Sequence, residues 1–440
     1  MNQKLDFGKL PAPDGQNGWW EILAKPLPAK RYSGQQTFDY VVIGGGITGL
    51  CAARRLAELS PESTIALVEA DRIGRSTAGR NSGFFVDLPH DISSDSYSKS
   101  VEEDQADVRF QRHGIDYVRS IVKAHQIDCD WRDEGKFHAW ANPRGEKAVE
   151  SFTKGLKRIG EPFTMLDKSA IKGVTGSDFY LGGMHTPGCS TAQPAALMRG
   201  LALNMPANVS VFEESPVLEM TNQRGVQLLR FQSGSITAKQ VLLCTNAYAA
   251  DRKNGLLPVY TYASLSRELT NEEVLQLGGQ RSWALIPADP MGTTVRRLGF
   301  NRICIRNHFS YRPGVVLSAQ DLAESRHLHQ RSFERRFPML SQVNFEYTWG
   351  GALCLTTNNG VYFGKRDQNV YQSIGCNGLG LSRGSTAGKL LAEYVLGQPN
   401  DLIEHLLKIP TPKTLPLQPF SGVAVKAAIA FKEKMAGIEM

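Results

Sequence analysis

The chain has 440 residues, more than one hydrophobic core usually organises, so we expect two domains. Apolar residues make up 41% and charged residues 21% of the chain, the composition of a globular protein, and no uninterrupted apolar stretch reaches about 18 residues, so no integral membrane span is expected. The formal net charge of +7 is modest, and no basic stretch alternates with aromatic residues, so a nucleic acid is not an expected partner.

The cysteines and histidines give no sign of a disulfide framework or a metal site. Seven cysteines lie at scattered spacings without a C-x-x-C pair, which indicates reduced thiols. The segment from Met1 to Gly18 lacks the apolar region of a signal peptide, so we expect a cytoplasmic protein. The nine histidines show no metal-ligand spacing, so no metal is expected.

The first predicted elements form a βαβ unit around a glycine cluster. The apolar run 38–43 leads into Gly44-Gly45-Gly46-Ile47-Thr48-Gly49, then into a helical pattern and a second apolar run, 65–68, that ends on Glu69. Such glycines let the backbone approach a pyrophosphate, the helix N-terminus offers free N–H groups, and the acid binds ribose hydroxyls. The pattern predicts dinucleotide binding, against the alternative of a glycine-rich turn without a ligand. The expected contacts are Gly44, Gly46, Ile47, Thr48, Gly49, Glu69 and Ala70.

The middle of the chain predicts helices first and short strands later. Residues 96–127 and 144–160 have helical spacing, and the alternating run 131–140 between them predicts a strand. From Val209 onward short strands separated by turn residues are predicted, as a meander that leads into a buried strand. Those strands cover 209–212, 217–220, 226–231, 235–238 and 239–246.

The last third predicts further strands, one helix and a tail. An alternating run covers 302–306, and a helix is predicted near 318–335. The tail begins proline-rich at Pro410 and continues as a short amphipathic helix over 423–432. We expect this helix to dock against the protein body rather than on a membrane, because its cationic face is small.

A second glycine cluster near the C-terminus indicates which dinucleotide is bound. The predicted strand 370–375 precedes Asn377-Gly378-Leu379-Gly380, and a helical pattern over 385–394 follows. An NAD-only dehydrogenase has no need of this second helix N-terminus, whereas a flavin must be held at its ring and ribityl chain. We therefore predict FAD, with Gly378, Leu379 and Gly380 among its contacts.

Over roughly residues 20–400 the chain resembles the D-amino-acid-oxidase-like FAD oxidoreductases, a family that includes glycine, sarcosine and gamma-glutamylputrescine oxidases. Besides the glycine clusters, the resemblance depends on five short motifs, which are Leu27-Pro28, Phe38-Asp39, Gly79-Arg80-Asn81-Ser82-Gly83, Cys244-Thr245-Asn246-Ala247-Tyr248 and Trp349-Gly350-Gly351.

The resemblance implies an α/β fold (α+β overall), with a Rossmann-like FAD-binding domain and a second, mixed-sheet substrate domain. The FAD-binding domain is expected in three segments, 36–95, 166–255 and 346–405. The substrate domain is expected over 96–165 and 256–345, and the tail over 406–440.

The resemblance also implies site residues. In the family the polar loop from Gly74 to Phe85 passes the pyrophosphate and the flavin, so Arg80 is expected to pair with phosphate, against the alternative of a surface loop. The further expected cofactor contacts are Ser76, Asn81, Ser82, Gly83, Val217, Thr245 and Asn246. Family members that oxidise amino acids hold the substrate carboxylate with an arginine. The candidates are Arg296, Arg297 and Arg306, with the alternative that Arg296 and Arg297 are surface strand residues.

The implied reaction is hydride transfer from the carbon next to a neutral amine to flavin N5, which gives an imine. The substrate is then a small amine or amino acid. Sarcosine oxidases carry a lysine over the flavin that assists the reaction with oxygen, and the run 302–306 has none. The missing lysine favours a carrier as the electron acceptor, with oxygen left open as the alternative. Cys354 lies near the position of a covalent flavin tether, but we expect noncovalent FAD.

Two alternatives remain open from the sequence. One is a different flavin reaction on the same scaffold, in a modification or biosynthetic pathway. The other is a flavin-binding structural or electron-transfer subunit without amine oxidase activity.

Overall fold

The computed structural model describes residues 4–7, 15–24, 28–89, 99–249, 254–416 and 420–440. Its strands are β1 (Lys4–Asp6), β2 (Gly34–Ile43), β3 (Ile65–Val68), β4 (Phe84–Phe85), β5 (Lys136–Trp140), β6 (Thr164–Leu166), β7 (Gly182–Thr186), β8 (Ser190–Thr191), β9 (Val209–Phe212), β10 (Glu219–Gln223), β11 (Val226–Phe231), β12 (Gly234–Leu243), β13 (Leu257–Ser266), β14 (Trp283–Pro287), β15 (Thr294–Leu298), β16 (Arg302–Tyr311), β17 (Phe345–Leu355), β18 (Tyr362–Asp367) and β19 (Val370–Ile374). Its helices are α1 (Gly18–Glu21), α2 (Ile47–Leu59), α3 (Val101–Ala124), α4 (Pro143–Ile159), α5 (Lys168–Thr175), α6 (Pro194–Leu203), α7 (Asn271–Leu277), α8 (Ala319–Arg336), α9 (Gly380–Val395), α10 (Asp401–Lys408) and α11 (Phe420–Ala436).

The first sheet has nine strands, of which β12, β2, β3 and β9 are neighbours that pair in parallel. Alternation along β2 sends Val42 to a core that includes residues of α2, α3, α6 and α9, and sends Val41 and Ile43 to a second core on the other face. The predicted βαβ unit is confirmed. Of the predicted meander, β10, β11 and β12 pair in order, and β12 joins the predicted strand 235–238 to the first part of the predicted strand 239–246, since it ends at Leu243. The expectation that 209–212 belongs to the meander is wrong, because β9 pairs in parallel with β3 at the sheet edge.

The second sheet has eight strands in the order β17-β13-β16-β15-β14-β5-β7-β6. One face of it packs in a core with Phe333 and Phe337 at the end of α8 and with Ile171 of α5. The predicted helices are observed as α3, α4 and α8; residues 96–98 of the first lie outside the described residues. Only the second half of the strand predicted over 131–140 is extended as β5, since Gly135 with a φ of +74° directly precedes it.

Strand pairing crosses the segment boundaries expected from the sequence. β7 falls within 166–255 and β17 lies almost entirely within 346–405, yet both pair in the eight-stranded sheet. The chain therefore passes between the two sheets more often than the expected division into segments implies. The segment boundaries themselves stay a prediction.

The tail helix α11 packs on the second sheet. Val425 and Ile429 contact a core that contains Phe309 of β16, which is the docking expected from the sequence. The opposite side of α11 is also apolar, with Val423 64% and Phe431 65% exposed, so the expected amphipathic pattern is not observed. Within the described residues, no helix combines the length and apolar character that crossing a membrane requires.

Candidate functional site

A cavity of about 800 Å³ lies between the two sheets, and its lining combines segments from nearly the whole length of the chain. From the first sheet and its helices come the two glycine clusters, the loop after β3 and the segment after β12. From the second sheet come residues of β13, β14, β15, β16 and β17. We call this space the cofactor cavity.

The first glycine turn brings a helix N-terminus to this cavity. Gly44 has a φ of +110°, and a Cβ there would lie 2.6 Å from the carbonyl oxygen of Cys244, so no other residue fits without strain. A Cβ on Gly49 would lie 1.8 Å from the carbonyl oxygen of Gly44, which explains how α2 closes tightly on the turn. No side chain caps α2, and its first residues, Ile47 and Thr48, line the cavity. The uncapped N–H groups are suited to a pyrophosphate.

Glu69 lies at the end of β3 and also lines the cavity. Its carboxylate accepts hydrogen bonds from the backbone N–H groups of Gly45, at 2.7 Å, and Asp71, at 2.9 Å. Burial raises the pKa of Glu69 to about 7, although these hydrogen bonds act in the opposite direction. The carboxylate is therefore held rigidly at the cavity wall, where ribose hydroxyls can reach its remaining lone pairs. Ala70, the next residue, lines the cavity too.

The polar loop after β3 passes along the cavity, and Ser76, Arg80, Asn81 and Ser82 line it. The Arg80 guanidinium donates to the carbonyls of Arg75, at 2.8 Å, and Gly350, at 3.1 Å, so it fixes the loop against β17. These contacts differ from the phosphate pairing expected of Arg80. Gly83 does not line the cavity, and its N–H donates to the Asn81 side chain at 2.7 Å.

Two further segments complete the cofactor side of the cavity. Val217, Thr245 and Asn246 line it as expected, and the Asn246 side chain accepts from the Gly375 N–H at 3.1 Å. Gly378, Leu379 and Gly380 line it at the start of α9, a second helix without a side-chain cap. A Cβ on Gly388 would lie 2.1 Å from the carbonyl oxygen of Thr48, so α9 packs closely on α2. Two helix N-termini thus reach the same cavity.

The second sheet supplies a mostly apolar wall with a small polar cluster. Thr294 lies directly opposite Arg306 on the neighbouring strand, and Thr261 lies on the strand beyond, so all three belong to adjacent strands and line the cavity. The hydroxyl oxygens of Thr261 and Thr294 are buried and have no hydrogen-bond partner in the described part of the protein. The half-buried Arg306 guanidinium lies 5.5 Å from the centre of the Phe309 ring. We call these three residues the roof cluster.

Arg296 and Arg297, the other two expected substrate anchors, do not line the cofactor cavity. Arg296 donates through Nη1 to the carbonyls of Ser82, at 2.9 Å, and Ala192, at 2.8 Å. Arg297 donates to the carbonyl of Gly278. Both are almost fully buried, so neither is the surface strand residue of the alternative interpretation.

The cysteine expected near a covalent tether also lies outside the cavity. Cys354 is fully buried, and burial raises the pKa of its thiol well above the usual range. Two cysteines line the cavity, Cys244 and Cys376, and the Cys376 sulfur accepts from the Asn246 side chain at 3.3 Å. Sequence reasoning missed Cys376, Thr261 and Thr294 as lining residues. For Thr261, the available sequence signal was its position between two tyrosines, Tyr260 and Tyr262, both of which are buried in the structure.

Comparison with known proteins agrees with this geometry. Residues 39–394 match the DAO family, described as FAD dependent oxidoreductases. Gamma-glutamylputrescine oxidoreductase of Escherichia coli is 30% identical over 367 residues, which are 82% of this chain and 84% of that protein. Glycine oxidase from Geobacillus kaustophilus has a TM-score of 0.67 at 17% identity, covering 88% of this chain and 98% of that one. L-proline dehydrogenase from P. horikoshii has a TM-score of 0.64 at 16% identity, covering 86% of this chain and 97% of that one.

At 16–17% sequence identity the two solved structures show the fold alone, and they confirm the expected α/β fold with two domains. The cavity fits FAD, because it combines two uncapped helix N-termini for phosphate, a rigid carboxylate for ribose and an apolar wall for the ring. The chain therefore belongs to the DAO family of FAD-dependent oxidoreductases, and FAD is its cofactor.

Proposed function

We propose that this enzyme oxidises the C–N bond of a small amine that carries a carboxylate, as an amino acid does, to an imine. The observation that carries the proposal is the roof cluster, in which one arginine and two threonines with buried, unpartnered hydroxyls line the cofactor cavity on an otherwise apolar wall. Buried hydroxyls without partners are uncommon in proteins, and a bound substrate would supply the missing acceptors.

Arg306 is the proposed substrate anchor. A guanidinium binds a carboxylate through charge-assisted hydrogen bonds, and the neighbouring Thr294 hydroxyl can donate a further one. Arg306 is also the one of the three arginine candidates that lines the cavity. Arg296 and Arg297 hold backbone carbonyls instead, so we no longer propose them as anchors.

The wall around the roof cluster favours a neutral amine. Glu69, at the ribose end, is the single carboxylate among the described lining residues, so the roof offers an ammonium group no countercharge. Apolar side chains such as Ile286 and Phe309 exclude water, and burial lowers the pKa of an amine. Only the neutral amine leaves a lone pair to stabilise the developing imine. Bound FAD supplies the hydride acceptor.

The electron acceptor is proposed to be a carrier rather than oxygen. The described lining residues include no lysine that would place a positive charge near a developing superoxide, and Arg306 is committed to the substrate in this proposal. Slow reoxidation of the reduced enzyme in air would support a carrier, and rapid reoxidation would support oxygen. A cytoplasmic location remains part of the proposal on sequence grounds, and cell fractionation tests it.

A panel of amines and amino acids under anaerobic conditions tests the proposal directly. We expect bleaching of the flavin absorbance by a carboxylate-bearing amine and not by its methyl ester or by the matching amine without the carboxylate. Bleaching by the ester at an equal rate would refute the role of Arg306. No bleaching across the panel would refute amine oxidation and leave the other flavin reactions.

A further inference from the structure

A second cavity, of about 670 Å³, lies at the end of the eight-stranded sheet where β14 begins and β15 ends. It is separate from the cofactor cavity. Its charged lining residues are Arg132, Arg281, Arg296, Arg297 and Glu134, four guanidiniums against one carboxylate.

Two residues that line this cavity carry buried N–H donors without partners among the described residues. Trp283 is 2% exposed and Arg297 is 3% exposed, and the two lie directly opposite each other on paired strands. Neither the Trp283 Nε1–H nor the Arg297 Nε–H has a hydrogen-bond partner among the described residues. Because Arg297 uses Nη1 for the carbonyl of Gly278, the opposite edge of its guanidinium remains available. Native proteins leave few buried donors in this condition.

Among the described residues, the positive charge of Arg297 is also uncompensated. Arg132 has a carboxylate partner, Asp130, at 2.8 Å, and Arg296 is held by backbone carbonyls. Arg297 has no ion pair within the described part of the chain. Burial lowers the pKa of Arg297, and the positive charge of the exposed Arg281 lowers it further. Two neighbouring guanidiniums without an ion pair in the described part of the chain are the electrostatic condition that an anion relieves.

We propose that the second cavity binds a small organic anion, a carboxylate or a phosphate that carries an apolar group. Its oxygens accept from the Trp283 Nε1–H and the Arg297 Nε–H, and Arg281 supplies charge at the mouth. Phe137 and Leu166, which also line the cavity, contact the apolar group. The site is linked to the cofactor cavity through Arg296, which lines the second cavity and holds the backbone of Ser82 in the first.

Isothermal titration calorimetry of the FAD-loaded enzyme with benzoate and with phenyl phosphate tests this site. Both probes carry an apolar ring, and they separate a carboxylate from a phosphate ligand. The variant Trp283→Phe removes one N–H donor and keeps an aromatic ring, and Arg281→Gln removes the exposed charge without disturbing the core. Arg331→Gln, another exposed arginine outside both cavities, is the matched control.

We expect saturable binding of at least one probe, with roughly tenfold to a hundredfold weaker binding in Trp283→Phe, because a hydrogen bond to a charged group is lost. Arg281→Gln should also weaken binding, and Arg331→Gln should not. Absence of binding by both probes would overturn the proposal, as would equal affinity in all four proteins. Flavin absorbance of each variant reports its folding and cofactor content independently.

Discussion

Replacing Glu69 by glutamine should weaken FAD binding roughly tenfold to a hundredfold. The carboxylate already accepts from the N–H groups of Gly45, at 2.7 Å, and Asp71, at 2.9 Å, so each oxygen keeps one direction for a ribose hydroxyl. Glutamine replaces one acceptor oxygen by an NH₂ group. In either orientation of the amide, this NH₂ group occupies the place of an oxygen that accepts from a backbone N–H and from a ribose hydroxyl. One hydrogen bond to a charged group is then lost, worth about 1.5–3 kcal/mol, and about 1.4 kcal/mol is tenfold in affinity.

The same carboxylate should make FAD binding depend on pH. Burial raises the pKa of Glu69 from 4.5 to about 7 in the protein without its ligand. Between these values the folded chain keeps a proton that the unfolded chain has released, so the contribution of Glu69 to stability falls as pH rises through this window. Ribose hydroxyls need the ionised acceptor, so FAD affinity should rise with pH, by at most about tenfold per pH unit below 7, and level off above it.

Titration of the apoprotein with FAD, followed by the quenching of flavin fluorescence, measures both effects. Asp71→Asn is the matched control, because Asp71 is an adjacent carboxylate that does not line the cavity. Unchanged affinity in Glu69→Gln, or an equal loss in Asp71→Asn, would refute the ribose contact. A pH dependence that persists in Glu69→Gln would show that another group titrates.

Three further predictions concern the rest of the site. Arg306→Gln should lower kcat/KM for a carboxylate-bearing amine roughly tenfold to a hundredfold and leave the flavin spectrum unchanged. Arg302→Gln, on the same strand but outside the cavity, should not lower kcat/KM, and equal losses of the two variants in steady-state assays would contradict the role of Arg306 as the anchor. Glu433 of α11 accepts a hydrogen bond from the N–H of the cavity residue Phe309 at 2.8 Å. Glu433→Ala should therefore lower the free energy of unfolding in urea by about 1–3 kcal/mol and change substrate kinetics. Glu433→Gln keeps an acceptor, so its free energy of unfolding should fall by less. Acid precipitation should leave a colourless pellet with FAD in the supernatant for both wild type and Cys354→Ser, because Cys354 does not line the cavity. A yellow wild-type pellet would contradict noncovalent binding of FAD.

The parts of the site that could be predicted from the sequence are those fixed by local chain geometry. The turn at Gly44 needs a positive φ and a close backbone approach, and both requirements are visible as glycine in the sequence. Before the start of α9, Gly378 likewise has a positive φ, of +86°. Helix and strand periodicity then places these turns at the ends of buried strands.

The substrate wall could not be predicted, because strand pairing decides it. Consecutive residues of a strand point to opposite faces, and only the pairing of β15 with its neighbours decides where each face lies, so the local sequence does not tell that Arg296 and Arg297 both lie outside the cofactor cavity. A register shift between Thr261 and Tyr262 further changes how β13 meets β16. Neither the pairing nor the shift leaves a mark in the local sequence.

The charges around the cofactor cavity favour an anionic ligand, and both glycine clusters line that cavity although they lie far apart in sequence. Arg72, Arg80, Arg306 and Arg366 line it against the single described carboxylate, Glu69, and two helix N-termini add partial positive charge. An anionic dinucleotide compensates this excess, so the positive groups of both sheets favour the same ligand. The contact of Gly388 with the Thr48 carbonyl holds the two helix ends together, because any side chain at Gly388 would push α9 away from α2. FAD is thus bound by a single packed unit whose halves come from opposite ends of the chain.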